Sequence, residues 1–307
     1  MFIWLGELKM DNIKRILSSN VITSELFGVI KSSEGNYVKI KLNSHQKLDD
    51  TIVKMIKDTI DKQYLKEDIN LIEITELNEN KNNIYRANLK DFDSLNFLSN
   101  INEKDSVNEE NLKAFIIKIS DGKDDIYCYQ NIAVNAIIKH YNRIPIIRSE
   151  DFYEQIDSNV VVIESKVDFI LYNNTLYIKN WKLLENQFQF TDFIKSNADK
   201  TLQNIKDNGL LDDMSKIIKE AESKLPISKK LMRAGNSLVL KKPKEQILTN
   251  AKSIEQYKPL FNEDGAMVVK TCNDVKLFIK LLNDDMLYSK LTDGEYDASD
   301  KVLIDKD

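Results

Sequence analysis

Short apolar runs separated by turn-forming residues dominate the first half of the chain. Three pairs of these runs are rich in β-branched and aromatic residues, and a short polar turn joins the members of each pair. The paired runs are residues 27–31 with 37–42, residues 114–119 with 126–129, and residues 169–172 with 175–178. The turn between the last two runs is Asn173-Asn174, and asparagine tolerates the positive φ of a two-residue hairpin loop. The pattern therefore predicts antiparallel strands.

At least two helices are predicted among these strands. Four apolar residues recur at intervals of four and predict one amphipathic helix. They are Leu48, Ile52, Ile56 and Ile60. Residues 132–141 carry a weaker helical pattern. The polar and acidic residues 100–111 are expected to form a solvated loop.

From about Trp181 onward the apolar period changes to 3.6 residues, which is typical of helices. Four helices are predicted, at residues 192–205, 211–225, 244–257 and 274–287. Pro226 and Gly235 interrupt the series, and Pro243 is expected at the first helical position of the third helix.

Together these patterns predict an α+β fold. We expect residues 1–180 to form a strand-rich N-terminal lobe with interspersed helices, and residues 181–307 to form a mainly helical C-terminal lobe. The chain of 307 residues shows no internal repeat and no long linker. Two lobes are therefore expected rather than two independent domains.

Composition indicates a cytoplasmic globular protein, with 42% hydrophobic and 30% charged residues. The longest apolar runs are far shorter than the roughly 18–20 residues that span a bilayer. The first residues lack the basic segment and the apolar length of a signal peptide. Any association with a membrane is therefore expected to come through a partner.

The two cysteines and two histidines predict neither a metal site nor a nucleophile. Cys128 and Cys272 lie far apart and, with His45 and His140, show no spacing typical of zinc ligands. We expect both cysteines to be small buried hydrophobic residues. No serine lies in a nucleophile-elbow context, which argues against acyl transfer. No cofactor is expected.

Charge is distributed unevenly along the chain. The net charge is −5, but residues 224–244, called here the basic segment, contain seven basic residues and no acidic one. These are Lys224, Lys229, Lys230, Arg233, Lys241, Lys242 and Lys244. The chain has 39 lysines and only 5 arginines, so a lysine by itself is weak evidence for a phosphate contact.

The basic segment is the candidate DNA-binding surface. A helix from about Ile227 would place Lys229, Lys230 and Arg233 on adjoining faces, with Gly235-Asn236 as its cap. Lys241, Lys242 and Lys244 lie where the next helix is expected to begin, and the free amide groups of a helix N-terminus favour phosphate. Such contacts neutralise the DNA backbone without reading its sequence. The alternative is a solvated, lysine-rich connection between two helices.

Two other functions remain open from the sequence. Glu164-Ser165-Lys166 follows an apolar run and is similar to the Glu-x-Lys of magnesium-dependent nucleases; on a strand, Glu164 and Lys166 would share a face. Asp151 or Asp157 would then supply a further carboxylate.

Alternatively, Phe188, Phe190 and Phe193 form a docking face of a non-catalytic interaction subunit, although their spacing suits a strand-to-helix junction in the core equally well.

The closing residues carry a pattern here called the tail motif, Leu282, Asp284, Asp285, Ser289, Leu291, Thr292 and Tyr296. Two adjacent aspartates on a helix project about 100° apart, so we expect a structural or interface role rather than a metal site. The tail motif, the hairpin at residues 167–180, Glu185, Phe188 and the stretch around Lys229-Lys230-Leu231 resemble the KwaB family of Kiwa anti-phage systems. The resemblance covers roughly residues 165–303.

The resemblance implies a phage-defence effector that binds DNA and is not an enzyme. It also implies a small multi-pass membrane partner, similar to KwaA, that recruits the chain from the cytoplasm to the inner face of the membrane. Homodimerisation is compatible with the sequence. The extra Asp293 before Gly294 is a departure from the family pattern.

Overall fold

The structure is a computed structural model that describes most of the chain. The described residues are 3–20, 22–32, 34–78, 80–100, 111–132, 137–138, 146–149, 152–156, 160–289, 291 and 294–298. The chain divides into two compact units. The first unit comprises residues 1–72 and 81–189, and the second comprises residues 73–80 and 190–307.

Within the described residues, the first unit is built on an eight-stranded sheet with three helices. The helices are α1 (Ile3–Leu17) and α2 (Gln46–Gln63), and a shorter helix, α3 (Trp181–Gln187), ends the unit. The strands of the sheet are β1 (Thr23–Lys31), β2 (Tyr37–Leu42), β3 (Asn70–Glu73), β4 (Asn83–Asn88), β5 (Leu112–Ser120), β6 (Asp125–Asn131), β11 (Phe169–Tyr172) and β12 (Thr175–Ile178). Their spatial order is β2-β1-β5-β6-β11-β12-β4-β3, and every pair with a described register is antiparallel.

Both faces of this sheet are covered, which explains why β11 and β12 are buried at every position. One face packs against α1 and α2 through an aliphatic core that includes Ile16, Ile56 and Ile170. The other face carries an aromatic cluster in which Tyr129 stacks on Phe169 with ring centroids 4.4 Å apart. Among the residues that the structure describes, the 3₁₀ helices Leu89–Asp91 and Asp93–Leu98 follow β4, and the 3₁₀ helix Ile74–Glu76, which belongs to the second unit, follows β3.

Smaller strand pairs complete the described residues of the first unit. β7 (Ile137–Ile138) pairs with β10 (Val160–Val161), and β8 (Ile146–Ser149) pairs with β9 (Phe152–Gln155). The helix predicted at residues 132–141 is therefore wrong where the structure describes it, because Ile137 and Ile138 are paired as a strand. The loop predicted at residues 100–111 lies almost wholly outside the described residues.

In the part of the second unit that the structure describes, five helices surround the core. They are α4 (Phe190–Asp207), α5 (Ser215–Ser223), α6 (Leu225–Ala234), α7 (Lys244–Ser253) and α8 (Cys272–Leu282). Two 3₁₀ helices, Val239–Lys241 and Glu255–Leu260, lie between them, and the strands β13 (Met286–Ser289) and β14 (Gly294–Asp297) form a terminal hairpin. Leu231, Ile205 and Phe278 are fully buried in the shared core. No helix within the described residues is long and apolar enough to cross a membrane.

The structure confirms the predicted α+β class and the three hairpins, and it corrects several helix ends. Residues 211–214 lie outside α5, and the helix expected to run to residue 257 ends at Ser253. Pro243 is the N-cap of α7, one position earlier than predicted, since Lys244 is the first helical residue. The lobes proposed at residues 1–180 and 181–307 stay a prediction; the compact units divide at residue 189 and assign residues 73–80 to the second unit.

The last predicted helix, residues 274–287, is wrong beyond Leu282. Asn283 caps α8 by donating its side-chain amide to the carbonyl of Ile279 over 3.0 Å. Asp284 then adopts a φ of 52°, a left-handed conformation that a continuing helix does not allow. The two aspartates of the tail motif consequently follow the helix rather than lie on it.

Candidate nucleic-acid interface

Helix α6 carries three of the basic residues and forms where the sequence predicts a helix. Pro226 lies in its first turn, where a missing backbone N–H costs nothing, and Gly235 is its C-cap. Ile227, Leu231 and Met232 are buried, so Lys230 is left on the exposed side. This amphipathic arrangement anchors the helix in the core of the second unit.

The basic segment extends over α6, the following turn and the start of α7. Lys224, Lys230, Lys241 and Lys242 are exposed, whereas Lys229, Arg233 and Lys244 are half-buried. All seven residues belong to the second compact unit. They differ in what surrounds each cationic group, and that difference separates structural residues from candidate ligand contacts.

Lys224 is paired with Glu220, a carboxylate outside the set of candidate residues taken from the sequence. Glu220 on α5 is only 7% exposed and accepts hydrogen bonds from both Lys216 and Lys224, each four residues away. These hydrogen bonds lower the pKa of Glu220 to about 2. The hydrogen bond to Glu220 in turn raises the pKa of Lys224, whose amine also lies 3.5 Å from Sγ of Cys272. The Lys216–Glu220–Lys224 spacing was the signal in the sequence.

Arg233 is paired with Asp285 of the tail motif. Its Nη2 donates to Oδ1 of Asp285, and the two side chains are 21% and 7% exposed. Glu76 lies close to Arg233 and Lys241. Burial and the nearby Glu73 raise the pKa of Glu76, and the two cationic side chains oppose that rise. No local spacing could have revealed the Arg233–Asp285 pair, since its partners are 52 residues apart.

Lys241, Lys242 and Lys244 surround the N-terminus of α7. Pro243 is the N-cap of this helix and makes no side-chain capping hydrogen bond to its first amide groups. Unsatisfied amides and the helix dipole favour an anion at such an end, although Glu245 in the first turn offsets part of that preference.

The tail motif divides between the core, the ion pair and the terminal hairpin. Leu282 is fully buried and Asp285 is 5% exposed. Ser289 is the last residue of β13, Tyr296 lies opposite Leu287 in β14, and Leu291 between the strands is 98% exposed. Thr292 lies outside the described residues.

The nuclease arrangement is not formed as predicted. Glu164 and Lys166 lie after β10 in a turn rather than on a strand, with the amide of Lys166 donating to the carbonyl of Glu164 over 2.9 Å. The lysine amine forms an ion pair with the Glu164 carboxylate at 3.3 Å. Asp151 and Asp157 lie outside the described residues, among which no cluster of three potential metal ligands occurs.

The aromatic candidates and the cysteines lie mainly in the core. Phe188 and Phe190 are fully buried, so the core alternative is confirmed for them and the docking face is wrong; Phe193 stacks on Phe190 at 5.5 Å. Cys128 is buried as predicted, and its burial raises the pKa of its thiol. Cys272 is only half-buried, contrary to prediction, because it begins α8 beside Lys224.

Comparison with known proteins places the chain in a family. Residues 109–292, which include the whole basic segment, match the family described as Kiwa protein KwaB-like. The chain is 28% identical over 204 residues to the Kiwa protein KwaB of Escherichia coli O55:H7 (strain RM12579 / EPEC), and the alignment covers 64% of each chain, less than two thirds of that relative. No solved structure matches significantly. Since the family match covers more than half of its residues, this chain belongs to the Kiwa protein KwaB-like family.

Proposed function

We propose that this chain is a component of a Kiwa-type anti-phage defence system that binds DNA through backbone contacts. In this proposal it acts from the cytoplasm with a multi-pass membrane partner similar to KwaA and blocks phage replication or transcription. It works by binding, without a cofactor and without catalysis. Family membership supports the defence role, and the basic segment supports the choice of DNA.

The choice of DNA rests on one group of lysines. Lys230, Lys241, Lys242 and Lys244 lie on α6 and around the start of α7, within a segment that has no acidic residue. Among the described residues, no carboxylate lies within ion-pair distance of any of these four amines. Concentrated lysine charge, which Glu76 near Lys241 and Glu245 beside Lys244 offset only in part, favours a polyanionic ligand although the net charge of the chain is −5.

The chemistry of these residues predicts sequence-independent binding. A lysine amine is a point charge that contacts phosphate oxygens, whereas base edges are usually read by the forked or amide side chains of arginine, asparagine and glutamine. Each phosphate contact releases a counterion, so the logarithm of the binding constant should fall by about 0.9 per contact for each unit of log salt.

The experiment compares two triple charge reversals. Lys230, Lys241 and Lys242 are changed to glutamate in one variant; the exposed residues Lys47, Lys54 and Lys62 of α2 are changed in the other. Both variants change net charge equally. Fluorescence anisotropy with a labelled duplex, titrated over a range of salt, should show weakened binding and a shallower salt slope for the first variant alone.

Equal loss in both variants would show that net charge, and not this surface, determines binding. Duplexes of different sequence should bind with the same affinity. Incubation of plasmid with the chain and magnesium should leave the DNA intact; cleavage that disappears in Glu164→Ala would replace the proposal by the nuclease.

The membrane partner and the oligomeric state need separate measurements. The chain should sediment with membranes only in cells that also express a multi-pass partner encoded beside it. Sedimentation without that partner would contradict the proposed recruitment. Light scattering of the purified chain tests the homodimer, which we include in the proposal because a second copy would double the phosphate contacts and increase avidity.

A further inference from the structure

Two other segments of the second unit contact the C-terminal end of α6 and the residues that follow it. The side-chain amide of Asn283 donates to the carbonyl of Lys230 over 3.2 Å, and Asp285 accepts from Arg233. On the segment 73–80, Thr75 accepts from Asn236 over 2.7 Å. The C-terminal turn of the helix is therefore held at three points, two of them at the turn that follows α8.

The position of Asp285 is fixed by its own backbone. Its amide donates to the carbonyl of Lys280 over 2.9 Å, and its carbonyl accepts from the amide of Ala298 over 3.1 Å. The positive φ of Asp284 breaks the helical path of the chain immediately before Asp285. The carboxylate is thus presented to Arg233 by a structured turn, which makes the ion pair a stable feature of the unit.

This ion pair removes one cation from the candidate interface. Arg233 lies three residues from the exposed Lys230, which places the two on adjoining faces of α6. Arginine binds phosphate in a bidentate manner and is the strongest phosphate ligand that the basic segment contains. While Asp285 holds its guanidinium, a phosphate would have to displace a carboxylate that is 7% exposed.

We propose that Asp285 limits the DNA affinity of this chain by holding Arg233 in an internal ion pair. Release of the tail turn, residues 283–285, would let Arg233 join the lysines and add a phosphate contact. The inference rests on the proposed DNA binding and names the element that regulates it.

The first test neutralises the carboxylate. Asp285→Asn keeps the shape of the side chain and its ability to accept a hydrogen bond, but it removes the charge that holds Arg233. We expect tighter duplex binding, by at least about threefold at moderate salt, and a salt slope steeper by about 0.9. Asp264→Asn, at an exposed turn of the same unit, changes net charge equally and should leave the slope unchanged.

The second test removes both partners. Breaking a buried pair from one side can destabilise a protein, whereas replacing both partners by apolar residues often does not. Arg233→Leu combined with Asp285→Leu should therefore fold and should bind duplex with the salt slope of the natural chain. A slope shallower by about 0.9 would show that Arg233 already contacts phosphate and would overturn the inference.

The outcomes separate this inference from the proposed function. Binding by the natural chain that weakens on reversal of the lysines, with no gain in Asp285→Asn, overturns the inference alone. Absence of duplex binding in the natural chain and in every variant overturns both. If the gain in affinity caused by Asp285→Asn persists when Arg233 is also replaced, the gain does not act through Arg233. That result overturns the inference. Thermal melting of each variant verifies that the compared proteins are folded.

Discussion

Glu220 organises the lysines at the junction of α5 and α6. Little of this residue is exposed, and the amines of Lys216 and Lys224 both donate to its carboxylate, which favours the charged form. Those bonds hold the pKa of Glu220 at about 2, below the usual range for a glutamate. Lys224 therefore stabilises the unit, and its amine already has a carboxylate partner, which it shares with Lys216.

The depressed pKa of Glu220 predicts how stability depends on pH. Between about pH 4.5 and pH 2 the unfolded chain takes up a proton at this site that the folded chain does not. The stabilisation by Glu220 is thus complete above this window and is lost as pH falls through it. Urea unfolding of Glu220→Gln and of the natural chain should differ at neutral pH, and the difference should shrink towards pH 2.

The exposed neighbour Glu222 provides the control for this effect. Glu222→Gln should unfold like the natural chain throughout the same pH range. If the difference caused by Glu220→Gln stayed constant with pH, packing of the side chain and not its charge would explain the loss.

At the scale of single residues, sequence predicts short-range contacts and misses long-range ones. The spacing of four between Lys216, Glu220 and Lys224 is visible to any helical interpretation. The partners Arg233 and Asp285 meet only because α6 and α8 pack in one core, which no local pattern specifies. The seven basic residues and the pairing of Lys224 with Glu220 could thus be read from sequence, but the pairing of Arg233 with Asp285 could not.

The hairpin of β11 and β12 depends on two asparagines. Asn173 and Asn174 have φ values of 48° and 59°, which two-residue hairpin loops of type I′ require. Asn174→Ala should cost about 1–2 kcal/mol, because a Cβ without a compensating polar group disfavours the left-handed region. Asn174→Gly should be neutral or slightly stabilising. Chemical denaturation of the three proteins measures both changes.

Equal destabilisation by alanine and glycine would contradict this explanation. It would indicate that the Asn174 side chain, and not its backbone conformation, supports the turn. The backbone bond from the amide of Leu89 to the carbonyl of Asn174, 2.9 Å long, is available to all three proteins and does not distinguish them.

At the scale of elements, the sequence predicts the helices and strands that depend on neighbouring residues. It misses the elements and element ends that depend on distant partners or on a single residue. The three hairpins are set by turn residues, and α4 and α6 are set by an apolar stripe. The end of α8 depends on one cap and one left-handed residue, Asn283 and Asp284, in a segment whose composition continues to favour a helix. The strand β7 exists through its pairing with β10, which lies more than twenty residues later.

At the scale of the whole molecule, the order of the strands is the least local property. β12 pairs with β4, although almost ninety residues separate them, and β6 pairs with β11 across β7 to β10. Alternation of polar and apolar residues selects which face of a strand is buried, but it does not choose between strands with similar patterns. The fold class could therefore be derived from sequence, whereas the eight-stranded order could not.

The segment 73–80 is the feature that only the complete chain reveals, because it lies within the first half and belongs to the second unit. If the two compact units also unfold separately, destabilising one unit should accelerate hydrogen exchange only at the amides of that unit. Leu231→Ala and Ile170→Ala each remove a fully buried side chain and should cost roughly 2–5 kcal/mol. In hydrogen exchange of the full chain, Leu231→Ala should accelerate exchange in α4 to α8 and in residues 74–78. Ile170→Ala should instead accelerate exchange in the sheet. Acceleration of both units by either substitution would show that the chain unfolds as one cooperative structure.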